Sequence, residues 1–217
     1  MSVESYWDRY AENPITVEES LRNGFDWTQY PGHGPGEELL GQPEKVLELG
    51  CGTGDALAHL TRKGIEGVGV DLSPRQIEYA TERWGHQPGT RFVRADALGF
   101  LTGGDAGRFD AVYSVWGALW FADPREWAPA VCARLAERGV LVFSCAPPVE
   151  GCYGAQGMYG NGFRGEISPV LRWAYTPRMW EEILRDAGFG EVHAKVFEAP
   201  DPKNLGTLIV RAARSAA

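Results

Sequence analysis

Residues 45–57 read KVLELGCGTGDAL. A short apolar run, KVLEL at 45–49, stops at three alternating glycines, Gly50, Gly52 and Gly54. DALAHLTRKG then carries Ala56, Leu57 and Leu60 at helical spacing until Gly64 ends it. The stretch therefore predicts a strand, a tight loop and a helix. Glycines let the chain turn sharply out of the strand and leave no side chain in the way of a ligand approaching the helix start. Taken alone, the G-x-G-x-G pattern does not name that ligand, because dinucleotide sites use a related loop at the same place.

Outward from the loop the alternation repeats. EGVGVD at 66–71 reads as a second strand; Ser73 and Pro74 then supply an N-cap and a first helical position, with Ile77, Ala80 and Trp84 on one face. RFVRAD at 91–96 is expected as a third strand, a short helix runs through Leu98 and Leu101, and FDAVYSV at 109–115 is a fourth strand between Gly107 and Gly117. DPREWAPAVCARL predicts a capped helix and RGVLVFSCA at 138–146 a fifth strand. TPRMWEEILRDAGFGEV predicts another helix with Trp180, Ile183 and Leu184 inward; EVHAKVFEA and LGTLIVRAAR close the chain as two strands around the turn PDPKN. The fold class is α/β: a doubly wound, mostly parallel, seven-stranded sheet with an antiparallel last strand. Residues 1–44 lie outside the alternation and are expected as a cap of short helices around the loop FDWTQYPGHGPGEELLG. Residues 45–217 form the core. Within it 146–176, rich in glycine and aromatics and poor in helical or strand period, reads as a substrate-side insertion.

Composition narrows the class. The chain has 217 residues, 44% hydrophobic and 23% charged, which suits one globular core with a small appendage. A net charge of -8 disfavours a nucleic-acid partner. No stretch approaches the roughly 18 apolar residues of a membrane span, so a cytoplasmic location without membrane association is expected. Cys51, Cys132, Cys145 and Cys152 have neither zinc-site nor disulfide-framework spacing, so reduced thiols and no metal are expected, with Cys51 a small packing residue of the loop.

Two acids decide the ligand. Asp71 ends the second strand, where a carboxylate can accept from both ribose hydroxyls of an adenosine. Asp96 closes the third, where it can accept from an adenine amino group. VLELGCGTG, GVDLSP, RADAL and FDAVYSVWGALWFADP occur in the order and approximate spacing of class I S-adenosylmethionine-dependent methyltransferases, which the chain resembles over about residues 45–147. The resemblance implies a Rossmann-like fold and S-adenosylmethionine as cofactor. It implies that Glu48 organises the loop and the methionine ammonium, that Gly50, Cys51, Gly52 and Gly54 make room for methionine and ribose, and that Asp71 holds the ribose. Leu72 would cover the adenine, Asp96 and the Ala97 amide read its edge, Ser114 and Val115 flank the sulfonium, and Tyr10 reach the methionine end.

The implied reaction is in-line methyl transfer to an oxygen or nitrogen of a small, aromatic or apolar metabolite by a monomer or homodimer. Positioning supplies much of the acceleration, and no metal is required. Of four histidines, only His33 lies in a plausible lid and is the candidate base; its other reading is a stabiliser of the loop YPGHGPG. Many relatives carry a histidine in an ALH motif after the fourth strand, where this chain has Trp120. Trp27, Tyr30, Trp116, Trp120, Tyr153, Tyr159 and Trp173 are the candidate acceptor wall, with packing of the cap as the competing role. Three alternatives stay open: a peptide or protein methyltransferase, a non-catalytic module that binds the cofactor, and a nicotinamide oxidoreductase. Asp55 at the third position of a G-x-G-x-x-G pattern disfavours the last.

Overall fold

A computed structural model describes residues 2–11, 16, 18–20, 24–104, 107–159 and 167–215. Five strands run parallel: β1 (Lys45–Leu49), β2 (Glu66–Asp71), β3 (Thr90–Arg94), β4 (Phe109–Val115) and β5 (Leu135–Cys145). Two more, β8 (Phe189–Phe197) and β9 (Thr207–Arg214), complete a seven-stranded sheet of order β3-β2-β1-β4-β5-β9-β8. The final strand inserts between β5 and β8, antiparallel to both. It is thus the one reversed strand of this sheet. The expected sheet is observed, with the third strand ending at Arg94 rather than Asp96 and the fifth starting at Leu135.

The helices follow from local signals. In α2 (Asp55–Thr61) Leu57 and Leu60 are buried at helical spacing. In α3 (Pro74–Trp84) the Ser73 hydroxyl accepts from the Gln76 amide, and Pro74 occupies the first turn, where its missing N–H costs nothing. Asp96, Asp123 and Thr176 cap α4 (Ala97–Thr102), α5 (Pro124–Arg134) and α6 (Pro177–Asp186) in the same way. Alternation along β1 sorts the core. Leu47 and Leu49 join Trp127, Phe143 and Trp180 on the side of α4–α6. Val46 joins Leu57, Tyr113, Phe25 and Trp27 on the other.

Two segments outside the main sheet carry elements of their own, and only the second differs from expectation. The first helix, α1, covers Val3–Asp8. Within 146–176, where little periodicity is visible, β6 (Gly154–Tyr159) and β7 (Ile167–Ala174) pair antiparallel as a separate two-stranded sheet. Glycines at 154 and 157 interrupt the side-chain alternation that announces a strand, while backbone pairing proceeds regardless. β7 packs against α1 and against the turn Ala118–Trp120 that follows β4. Among the described residues no helix is long and apolar enough to cross a membrane.

The β1 loop and the β4 turn touch at backbone level. A Cβ on Gly50 would lie 2.4 Å from the Ala118 nitrogen and 3.0 Å from Gly117 Cα, at φ +77°. A Cβ on Gly52, at φ +51°, meets only Gln76 Oε1 at 3.9 Å. Gly52→Ala is therefore expected to cost about 1 kcal/mol for left-handed backbone alone, and Gly50→Ala roughly 3 kcal/mol or more because backbone must also move. Urea denaturation of the two variants checks this; equal losses would mean that the loop and turn are not locked together.

Candidate functional site

The carboxyl ends of β1, β2 and β3 and the turn after β4 bound one crevice. Gly50 and Cys51 amides both donate to the Val70 carbonyl, at 2.7 and 3.0 Å, and Gly54 N–H donates to the Cys51 carbonyl at 2.9 Å. Gly52 N–H donates to Asp71 Oδ2 at 2.9 Å, and the other carboxylate oxygen accepts from Ser73 N–H, also at 2.9 Å. Asp71 thus ties the glycine loop to the start of α3. Burial raises its pKa, while the bonds from the Ser73 and Gly52 amides, with the Leu72 amide beside them, oppose the rise.

Ser73 and Gln76 form half of a capping box. The Gln76 amide reaches the Ser73 hydroxyl at 3.1 Å, but the Ser73 N–H that would receive the Gln76 side chain in return is held by Asp71. Gln76 Oε1 is left buried and without a hydrogen-bond partner, on the open side of Gly52. Its residue is 7% exposed. The Ser73 hydroxyl in turn donates to Asp8 Oδ1 at 2.5 Å, fastening α1 to this bank. On the opposite bank the Trp7 ring meets Phe121 edge-on, with centroids 4.6 Å apart. Sequence reasoning missed Asp8, Phe121 and Gln76 as site residues, while Trp7 was legible as one of the cap aromatics at the mouth. The S-x-x-Q pattern at 73–76 was the one local signal for Gln76.

Glu48 lies beneath the loop, 3% exposed. It accepts from the Tyr113 hydroxyl at 3.2 Å and from the Leu57 amide in the first turn of α2. Burial pushes its pKa well above the usual carboxylate range, with Asp55 and Asp71 adding to the rise. Asp55 accepts from the Thr53 hydroxyl at 2.5 Å and faces Arg83 Nη1 at 3.7 Å. A diphosphate needs free amides and the positive end of a helix. Here the loop amides are engaged within the protein, and two carboxyl groups meet the first turn of α2. The lining suits a ligand with hydroxyl and cationic groups.

The remaining candidates separate into those at the crevice and those away from it. Leu72 and Val115 are half-buried at its edge. Asp96 is exposed; its Oδ1 accepts from Gly99 N–H at 2.8 Å, and Ala97 opens α4, where amides have no intrahelical acceptor. Trp116 holds a left-handed backbone at φ 49°, costing about 1–3 kcal/mol, fixed by amide bonding to the Ser144 carbonyl at 3.1 Å and an indole bond to the Trp27 carbonyl at 3.1 Å. Its ring meets Trp120 edge-on at 5.6 Å, and Trp120 lies 4.9 Å from Phe121. Trp173 is half-buried on β7.

Four expectations need correction. Ser114 is 1% exposed, its hydroxyl donating to the Leu49 carbonyl at 2.6 Å as a tie between β4 and β1. Trp27 is fully buried between Phe25 and Tyr113, with its indole N–H on the Gly36 carbonyl. Cys51, by contrast, is buried as expected of a small packing residue of the loop, and burial pushes its thiol pKa well up. The His33 Nε2 sits 2.8 Å from the Glu198 carbonyl, and Tyr30 donates to the Leu205 carbonyl at 2.7 Å. Both tether the cap to the β8–β9 turn. The end of β8 is four strand spacings from β1, about 19 Å, so neither residue is brought to the crevice. Tyr153 is exposed at the foot of the hairpin. The side chains of Tyr10 and Tyr159 lie outside the described residues. Among the described residues no group of three or more His, Cys, Asp or Glu is arranged to hold a metal.

Comparison with known proteins agrees with this architecture. Residues 46–139 match the methyltransferase-domain family. The chain is 31% identical over 177 residues to the demethylmenaquinone methyltransferase of Deinococcus radiodurans, covering 80% of this chain and 68% of that one. It is 31% identical over 209 residues to the magnesium-protoporphyrin O-methyltransferase of Rhodobacter capsulatus, covering 86% and 85%. Among solved structures, the 1,6-didemethyltoxoflavin-N1-methyltransferase of Burkholderia thailandensis, with 1,6-didemethyltoxoflavin and S-adenosylhomocysteine bound, aligns at a TM-score of 0.61 and 24% identity over 81% of this chain and 73% of that one. At that identity the likeness speaks for the fold.

The burial of Glu48 carries a pH signature. Its folded pKa stands well above the unfolded value of about 4.3, so the stability it contributes is complete below that value and is lost as pH rises toward the folded pKa. Each unit of displacement corresponds to about 1.4 kcal/mol. Urea denaturation between pH 4.5 and 7.5 is expected to show the wild type losing more stability with rising pH than Glu48→Gln; parallel curves would contradict the assignment.

Proposed function

The chain belongs to the class I S-adenosylmethionine-dependent methyltransferases, and we propose that it methylates an oxygen or nitrogen of a small, flat or apolar metabolite by in-line displacement. The observation that carries this reading is the roofed crevice. α1 is fastened to one bank through Asp8 and Ser73 and to the other through Trp7 and Phe121. A peptide acceptor needs an open groove; a small molecule fits beneath such a roof. The names of the quinone, porphyrin and toxoflavin relatives point the same way.

The residues present fit the cofactor. Asp71, at the rim of β2, would accept from the ribose, and Gln76 Oε1, buried and unpartnered beside Gly52, offers a second acceptor there. Leu72 would cover the adenine, while Asp96 and the Ala97 amide would meet its edge. Glu48 would act from below by holding the first turn of α2 in place. When bound, S-adenosylmethionine supplies a methyl carbon already activated by a positively charged sulfur. The chain's part is to align the acceptor and exclude water, and such positioning can offset roughly 7–11 kcal/mol of a barrier. Trp116, Trp120 and Phe121 give the acceptor side an apolar, aromatic face on which a flat molecule can rest and a cation is tolerated. His33 has no role in this step, since its ring nitrogen serves the cap's tether to Glu198.

Incubation with methyl-labelled cofactor and a metabolite extract is expected to place label in the small-molecule fraction. Label in protein would favour the peptide reading, and no label a non-catalytic binder. Asp71→Ala is expected to weaken S-adenosylhomocysteine binding at least about 30-fold by titration calorimetry. Losing two backbone hydrogen bonds costs about 1–3 kcal/mol, so the variant still folds. Undiminished affinity would remove Asp71 from the site.

A further inference from the structure

The aromatic wall after β4 carries donors that the described residues do not satisfy. Trp120 is 9% exposed, and its indole Nε1 is sealed from solvent with no acceptor in reach. Arg172, on β7, sets its guanidinium over the same ring, 5.7 Å from the centroid. One guanidinium nitrogen, Nε, donates to Gln156 Oε1 at 3.3 Å. Gln156 is aimed for this by its own Nε2, which donates to the Cys152 carbonyl at 2.7 Å. The two terminal nitrogens of Arg172 have no partner among the described residues, and no carboxylate there lies within ion-pair distance. Asp123, which follows the same turn, accepts instead from the Arg125 amide as the cap of α5.

A half-buried cation with no counter-ion among the described residues departs from the usual pairing of such groups. A ring face and one neutral amide leave most of its charge uncompensated. Its place is also specific. Ala118, two residues before Trp120, abuts the glycine loop at Gly50, so the ring under Arg172 stands at the border of the cofactor crevice. The other side of the crevice carries Asp71 and, on α1, Asp8. A molecule lying across the site therefore meets opposite charge at its two ends. The planar guanidinium, with two unengaged nitrogens side by side, matches the two oxygens of a carboxylate.

We propose that Arg172, backed by Trp120 and oriented by Gln156, is the anion subsite of the acceptor pocket, and that the methyl acceptor carries a carboxylate as its handle. The inference rests on the methyl-transfer reading above and adds the charge of the substrate to it. A carboxylate held by charged N–H donors has its lone pairs engaged and is a poorer nucleophile, so the methyl goes to another oxygen or nitrogen of the same molecule. Arg172 is a specificity residue here and takes no part in the transfer itself.

The test uses the full chain saturated with S-adenosylhomocysteine, titrated with benzoate and with its uncharged isostere benzamide while tryptophan fluorescence is followed. Wild type is expected to bind benzoate at least 10-fold more tightly than benzamide. R172M is expected to abolish that preference, R172K to retain part of it, and both variants to bind S-adenosylhomocysteine as wild type does. Equal binding of the two probes by wild type, saturation by neither, or a preference that survives R172M overturns the proposal. Failure of wild type to bind S-adenosylhomocysteine is a separate result that defeats the cofactor reading, and this inference with it.

Discussion

The site is organised around one carboxylate that accepts two backbone amides. Asp71 holds Gly52 with one oxygen and Ser73 with the other, and this fixes the glycine loop and the start of α3 at once. Three consequences follow from where those bonds go. The glycine loop cannot swing away from β2. The capping box of α3 stays half-formed, which turns the Gln76 amide toward Gly52 instead of toward its own helix. The Ser73 hydroxyl, still free to donate, becomes the mooring for Asp8 and so for the whole of α1. A single acid at the end of a parallel strand thereby shapes the floor, one wall and the roof.

Legibility in the sequence tracks how local each signal is. The loop at 50–54, the Ser73–Pro74 helix start and Asp71 at the end of β2 depend on neighbours within a few positions, and their elements stand where the pattern puts them, whereas Asp96 falls beyond β3 as the cap of α4. The seven-stranded sheet is legible for the same reason, since apolar runs bounded by glycine alternate with helical periods. Side-chain assignments fare less well. Trp27 and Trp116 look alike as aromatic residues near a loop, yet one is sealed in the core and the other stands at the crevice. Nothing in FDWTQY says that Tyr113 will close over the indole, because that contact comes from β4, far along the chain. Ser114 illustrates the same limit: its strand is readable, but only the approach of Leu49 explains why its hydroxyl faces a carbonyl. His33 is misread in the opposite sense, since its partner, Glu198, is 165 residues away.

Electrostatics beneath the loop separates this crevice from a nucleotide site of the same architecture. In a phosphate-binding loop the helix N-terminus offers amides and a positive potential to the ligand. Here Glu48 takes the Leu57 amide from below and Asp55 stands in the same turn. Burial keeps Glu48 reluctant to ionise, and Tyr113, whose own pKa burial pushes well up, remains its proton-bearing partner. The loop is therefore braced by a hydrogen-bonded acid rather than by the ligand it would hold. Preorganisation of this kind lowers the cost of ordering the site when a ligand arrives.

The turn Ala118–Trp120 joins the two halves of the site. Its backbone presses on Gly50, so its position is set by the glycine loop; its Trp120 ring lies under Arg172, so it also sets the aromatic wall beside the hairpin. The strained backbone of Trp116 immediately before it is retained because Ser144 and Trp27 hold both ends of that residue. β7 and α1 both lean on this region, one contacting the turn and the other Phe121. A displacement of the glycine loop must then be felt by the hairpin and the roof together, because close-packed contacts transmit shifts rather than absorb them. The glycine loop and the β6–β7 hairpin are in this way positioned by the same three-residue turn.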